Sequence, residues 1–543
     1  MKARRFVAVV LAATLLLLGL ALGGWWLVWQ RSPLQLQHQG LILPRSARFV
    51  PRQAALSLFL LTDAEEPVRY ARAVAPTRQR RQAADAVARL RDGAFAAAGL
   101  DYRDELAGWL GPETGLALFA ADGAGEPRGW LLALQSRDGD GARRFLQRFW
   151  QTRSLAGTGL QVSSYRGMGL ISGRAALVGQ EPVPVATALI DDDLVLLASG
   201  RGVLEQALDV SQIDELNQAA DPPFRQALAR LEQGAVLLTL RPSGLEPWLG
   251  FPGGAPGGLR SLVASLRPQG RQLAVEALIQ SIQSDAIPPG EEASTAADDP
   301  SGPWTPRLDP SEAEALLDGL RGEVVRLALL QDPAHWPDAW RPLLEQALLG
   351  QGGGLPTLVA SLDAGPLLWS EGPLGWLLGT RADQPAPAAL QPALEDLGLV
   401  ASTLAAPAAG QGLQVWTHLE ATSASRRRGD ATSQLEVSLA GARAADGERA
   451  WWGQTLAVLE ERRSAGSGPR PLRRALDELG LPEAPLQWAV AADPARALLR
   501  SWSSWRLLSA LAGQPLAEDV EGLALALEPD AGGLHLQARI HYG

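Results

Sequence analysis

Short sequences that recur in the two halves constrain this chain most. Gly129-Trp130-Leu131-Leu132 returns as Gly375-Trp376-Leu377-Leu378, and Gly159-Leu160-Gln161-Val162 as Gly412-Leu413-Gln414-Val415. The stretch SLRPQGRQLAVEALI from Ser265 aligns without gaps over ALEPDAGGLHLQARI from Ala526. All three recurrences keep their order, the pattern of a tandem duplication. With 543 residues the chain also exceeds the roughly 250 to 300 at which a single core stops growing. Residues 281–310, rich in Pro, Ser, Asp and Glu and poor in large aliphatics, read as a linker. The expected organisation is a tip and anchor over 1–30, a lobe over 42–280, the linker, and a second lobe over 311–543.

Local patterns mix strands with helices. At the C-terminus Leu534, Leu536, Ala538, Ile540 and Tyr542 alternate with polar residues and follow a turn at Pro529–Gly533, which predicts a hairpin with Leu523, Leu525 and Leu527. Gly115–Ala120 with Trp130–Leu134, and Val185–Ile190 with Leu194–Ala198 across Asp191-Asp192-Asp193, have hairpin spacing too. Leu498, Trp502, Trp505 and Leu508 form one helical stripe; Phe145, Leu146, Phe149 and Trp150 form another, with Asp140 as its cap. A short apolar strand running into a proline-containing turn and a helix occurs at 236–242, 324–333 and 488–494. The fold class expected is α+β: a single N-terminal transmembrane helix followed by two similar lobes of mostly antiparallel sheet with packed helices.

Phe6 to Trp29 is 24 residues without a charge, and as a helix it would reach about 36 Å, enough for a hydrocarbon core of about 30 Å. Lys2, Arg4 and Arg5 precede it, which favours a cytoplasmic N-terminus and export of the rest. Ala21-Leu22-Gly23 has the small-x-small pattern of a signal-peptide cleavage site, but Trp25, Trp26 and Trp29 carry the apolar run past it to the place of an interfacial aromatic belt. The expectation is therefore a retained anchor with interface residues Arg4, Arg5, Trp25, Trp26 and Trp29. It makes the lipid bilayer a partner and puts the bulk of the chain outside the cytoplasm.

Several chemistries are excluded by composition. Cysteine is absent and Lys2 is the only lysine, which removes disulfides, thiolate nucleophiles, Cys-ligated metals, phosphate loops and Schiff bases. A net charge of −10 argues against nucleic acid as a partner. His38, His335, His418, His535 and His541 show no helical metal-pair spacing. His418 and Glu420 share a strand face and could hold a metal or act as base and orienter, though a solvated polar face explains them more simply. Asp191–Asp193 lacks the spaced donors of a calcium loop and reads as a turn. Arg78, Arg80 and Arg81 open an amphipathic helix that could lie on anionic lipid or pack by its apolar face.

The basic start, the apolar span with its Trp pair, RSPLQLQHQGLILPRSARFVPRQAALSLFLL from Arg31 and LGPETGLALF from Leu110 resemble a cyanobacterial family of membrane-anchored proteins known as domain of unknown function 3352. The resemblance implies a plasma or thylakoid membrane, hence a periplasm or thylakoid lumen for the bulk of the chain, and supplies no activity, substrate or catalytic residue. Two readings follow: a non-enzymatic ectodomain that binds or scaffolds a membrane protein complex, and a carrier or chaperone for an apolar ligand such as a lipid or pigment. A hydrolase using Asp, Glu or His is a third. The largest cleft is expected to be lined by Leu, Val and Trp, without a tight cluster of titratable groups.

Overall fold

The computed structural model describes residues 32–119, 129–153, 159–177, 182–244, 259–281, 306–336, 354–404, 413–424, 432–466, 468–530 and 533–543. The chain divides into two compact units. The first holds the residues up to Gly244 with Val263–Leu273 and Arg506–Leu516; the second holds Leu245–Leu262, Ala274–Trp505 and Ala517–Gly543.

The first unit contains β1 (Leu56–Leu60), β2 (Leu110–Phe119), β3 (Gly129–Ser136), β4 (Gln161–Tyr165), β5 (Met168–Ala175), β6 (Val183–Ile190), β7 (Leu194–Ala198) and β8 (Val236–Leu240). They pair antiparallel in the order β4-β5-β6-β7-β3-β2-β1-β8. A hairpin, β9 (Leu259–Gln269) and β10 (Gln272–Ser281), comes next in the chain. The second unit contains β11 (Arg326–Gln331), β12 (Pro366–Gly372), β13 (Gly375–Arg381), β14 (Leu399–Leu404), β15 (Leu413–Ala424), β16 (Thr432–Asp446), β17 (Arg449–Gly453) and β18 (Leu486–Ala491). Their order is β14-β15-β16-β17-β13-β12-β11-β18, followed by the hairpin β19 (Val520–Asp530) and β20 (Gly533–Tyr542).

The same pairing order thus occurs twice, and it extends to single hydrogen bonds. Gly129 and Gly375 open β3 and β13. The Trp130 amide donates to Ser199 Oγ at 2.8 Å and the Ser199 amide to the Trp130 carbonyl at 3.0 Å. Trp376 and Gln454 repeat both bonds at 3.2 and 3.0 Å. A Cβ on Gly129 would lie 2.3 Å from Ser199 Oγ, and one on Gly375 would lie 2.3 Å from Gln454 Oε1. Close approach of Ser199 and Val203 thus favours glycine at 129, and a φ of +118° requires it at 375. GLQV behaves differently: Gln161 and Val162 open β4, whereas Leu413–Val415 open β15, the counterpart of β5. That tetrapeptide matches by composition alone.

The expected fold class is corrected on two counts. The twenty described strands belong to one mostly antiparallel sheet with helices, in place of the expected two similar lobes of mostly antiparallel sheet with packed helices. Among the described residues no helix is long and apolar enough to cross a membrane. The segment read as a transmembrane helix, with Arg4, Arg5, Trp25, Trp26 and Trp29, lies outside the described residues.

Helices fill the connections. In the first unit these are α1 (Glu66–Val74), α2 (Arg80–Ala97), α3 (Gly139–Arg153), α4 (Arg201–Val210) and α5 (Pro222–Leu231). Asp140 lies inside the first turn of α3 and does not cap it; the Asp138 carboxylate accepts the Asp140 amide. Phe145 and Phe149 pack with Trp109 and Trp150, and Trp150 Nε1 donates to Thr187 Oγ1 at 2.9 Å. On α2, Arg80 and Arg81 are exposed while Ala83, Ala84, Val87 and Leu90 are half-buried. The second unit has α6 (Pro310–Gly319), α7 (Leu355–Leu362), α8 (Pro387–Asp396), α9 (Leu456–Ser464), α10 (Arg470–Asp477) and α11 (Ala492–Ser501). The stripe from Leu498 to Leu508 is not one helix: α11 ends at Ser501, Trp502 is extended, and α12 (Ser503–Ala512) begins after it.

The two stretches that carried the family resemblance meet in the first unit. Glu113, buried in a bulged part of β2, accepts the Arg45 amide at 2.9 Å, the Ser46 amide at 2.7 Å and Ser46 Oγ at 2.5 Å. A Cβ on Gly115 would lie 2.6 Å from Ser46 Oγ. The Arg45 guanidinium bonds Asp191, at 3.0 Å, and Asp193, while Arg143 holds Asp192 at 2.5 Å. Asp191 and Asp192 have positive φ, so the acidic triplet is a hairpin turn neutralised by arginines. Glu113→Gln keeps one acceptor and turns an amide N–H₂ toward donors. We expect a loss of about 2 kcal/mol, read by denaturant titration.

Candidate binding surface

In the second unit a bulged, partly exposed apolar surface lies on β14–β16. Gly398, with φ of +68°, ends α8 and turns the chain into β14. β14 pairs with β15, Val400 opposite Thr417 and Leu404 opposite Leu413. On β16 the register shifts so that Ala442 faces Val415 while Leu439 faces Thr417. Ala440 is the extra residue. The bulge places Leu439 and Val437 on the face shared by Val400, Leu404, Leu413, Val415 and Ala442.

One end of this face is core. Val415 and Ala442 are buried with Leu316, Leu327, Leu377 and Val458, and Leu413 packs against them. Away from this cluster the face is exposed, toward the edge at Val400 (51%) and Leu404 (46%) and along β16 at Val437 (63%) and Leu439 (40%). β14 has a second peculiarity. Among the described residues it is paired on one side only, and its sequence LVASTL contains neither a charge nor a proline. Natural edge strands usually carry such residues to block pairing. The counterpart edge strand in the first unit, β4, also exposes Val162 at 78%.

His418 lies on the opposite face, across from Leu399 and Ser438, and is half-buried. Glu420 is opposite Glu436 in the backbone register, and its side chain lies outside the described residues. The His418 face continues into Trp416, which stacks on Trp452 at 5.1 Å, and Arg443, whose guanidinium lies 5.2 Å from the Trp452 ring. Among the described residues no group of three His, Cys, Asp or Glu side chains can hold a metal ion.

Buried polar groups gather elsewhere in the unit, at the end of β11. Asp332, in the left-handed region at φ +51°, accepts the Arg307 amide at 3.1 Å and bonds His335 Nδ1 at 2.6 Å. Asp363 accepts the Gly365 amide at 2.8 Å through Oδ1, while its buried Oδ2 has no partner. Burial first, then Asp383 and Asp332, push the Asp363 carboxyl up to about 7. Asp363 is fully buried, so it meets no substrate as it stands.

The tryptophans are packing residues where they are described. Trp369 and Trp488 flank Ala328 in one cross-strand row, 2% and 5% exposed. Sequence reasoning missed the β14–β16 surface. Its signal was the alternation of Val415, Thr417 and Leu419 beside Leu435, Val437 and Leu439.

The family model described as Protein of unknown function (DUF3352) matches residues 10–316. Curated proteins give no match. Three solved structures of TP0453 are similar. Crystal form III has 11% identity and a TM-score of 0.28, covering 44% of this chain and 83% of that one. Form I has 12% identity and a TM-score of 0.27, covering 44% and 78%. Form IV has 11% and 0.26, covering 43% and 79%. Likeness at this level carries no functional argument.

Proposed function

We propose, for a chain that belongs to the family described as Protein of unknown function (DUF3352), a non-catalytic binding role in which an extended segment of a partner protein adds to the free edge of β14. The observation that carries this reading is an edge strand without charge or proline beside exposed Val400 and Leu404. Open backbone N–H and C=O groups supply affinity in strand addition, and alternate side-chain sites supply selectivity. Covering two such side chains adds about 3 kcal/mol of apolar burial. A binding role also suits a composition without cysteine and with a single lysine.

The test places a photo-crosslinking amino acid at Leu439, whose side chain shares the exposed face, and compares the native edge with Val400→Lys/Leu404→Lys. Both replaced side chains are about half exposed, at 51% and 46%, so folding should change by less than about 1 kcal/mol. A discrete crosslinked partner is expected from the native edge, and at least tenfold less of it from the double variant, as a loss of about 1.4 kcal/mol or more requires. Equal crosslinking by both would refute the reading.

A further inference from the structure

The other chemistry left unassigned lies on three neighbouring strands of the second unit. His535 is on β20, directly opposite Glu528 on β19, and β20 also pairs with β10, which carries Glu276. His535 Nδ1 lies 2.7 Å from Glu528 Oε1 and Nε2 lies 3.0 Å from Glu276 Oε1. The imidazole is only 14% exposed. We propose that Glu276, His535 and Glu528 form a proton-operated clasp that fastens β10 to β20 when the imidazole is protonated and loosens that pairing when it is not.

The argument is one of donor count. Both ring nitrogens face carboxylates, which only accept hydrogen bonds. An imidazolium donates from both nitrogens and satisfies both strands at once. A neutral imidazole donates from one and turns a lone pair toward the other carboxylate, so one strand loses a bond and gains a repulsion. The charged groups acting on the ring are Glu276 from β10 and Glu528 from β19. Along β20 itself Gln537 and Arg539 follow on the same face. The Glu276 bond, the largest influence, raises the His535 pKa above its ordinary value against the opposing effect of burial. A raised folded-state value means the clasp is fully closed below the ordinary imidazole pKa of about 6.5 and is lost as pH rises through the higher folded-state value.

The full chain is examined by NMR, with the His535 ring assigned by its absence in His535→Gln. Amide exchange in β10 and β20 is followed in parallel, corrected for the intrinsic pH dependence of exchange. The His535 ring is expected to titrate above about 6.5, and β10 protection to fall by roughly tenfold on going from acid to alkaline pH. Glu276→Gln, which leaves the histidine and Glu528 in place, should lower the titration midpoint and flatten the pH dependence of β10 protection. A ring that titrates at or below the ordinary value, β10 protection independent of pH, or a Glu276→Gln variant that behaves as the parent would each overturn the clasp.

Discussion

Asp363→Asn should stabilise the protein above neutral pH and leave it nearly unchanged near pH 4. Asp363 is fully buried, and its carboxyl is held at about 7, against about 3.9 in an unfolded chain. Between those values the folded state binds a proton that the unfolded state has released, so stability falls as pH rises. The fall is complete above about pH 7 and amounts to roughly 4 kcal/mol, three units at about 1.36 kcal/mol each. An asparagine keeps the Oδ1 acceptor used by the Gly365 amide and never ionises. Its N–H₂ stands where the protonated acid has an O–H that is equally without a partner, so the two are matched in acid. Urea titrations at pH 4, 6 and 8 should therefore diverge progressively, with the variant ahead by about 4 kcal/mol at the highest pH. Parallel curves for the two proteins would show that the carboxyl titrates normally in the fold.

How much of this was readable from the sequence depends on the range of the forces involved. GWLL could be read because its Trp exchanges the same pair of hydrogen bonds with the residue after a neighbouring strand, Ser199 or Gln454, while its glycine answers a local demand, close approach at Gly129 and a φ of +118° at Gly375. The terminal hairpins were readable because alternation and turn composition are local. The break at Trp502 was not, since helical spacing of Leu498, Trp502 and Trp505 continues across a residue whose backbone is extended. The apolar face of β14–β16 was hidden by the bulge at Ala440. Leu439 and Ala442 are three residues apart, an odd spacing that should put them on opposite faces, and only the inserted residue brings them together. Asp363 reads as a turn residue in SLDAGP, and nothing local reveals that the chain around it closes to exclude water. The pairing of His535 with Glu276 spans 259 residues. Periodicity places each on a strand, and only the sheet brings them together.

Gly533→Ala should be the most damaging small substitution in the second unit, and comparison with Gly270→Ala separates the two reasons. Gly270 and Gly533 occupy the two similar hairpins, in the β9–β10 turn and at the start of β20. Both have positive φ, +57° and +154°. A Cβ on Gly270 would meet nothing within 4 Å, so an alanine there bears only the conformational cost, about 1 kcal/mol. At Gly533 the same Cβ would stand 1.8 Å from the Ile279 carbonyl oxygen and 2.9 Å from its carbon. That oxygen belongs to β10, whose backbone cannot move aside without giving up pairing with β20. Alanine must therefore adopt a disfavoured backbone conformation, which costs about 1–3 kcal/mol, and separate two strands as well. We expect a loss of more than about 3 kcal/mol for Gly533→Ala against about 1 kcal/mol for Gly270→Ala, measured by urea denaturation of the full chain. Loss of β10 amide protection should accompany the first and not the second. Equal costs at the two glycines would mean that turn conformation alone sets them and that the close approach of the Ile279 carbonyl to Gly533 adds nothing.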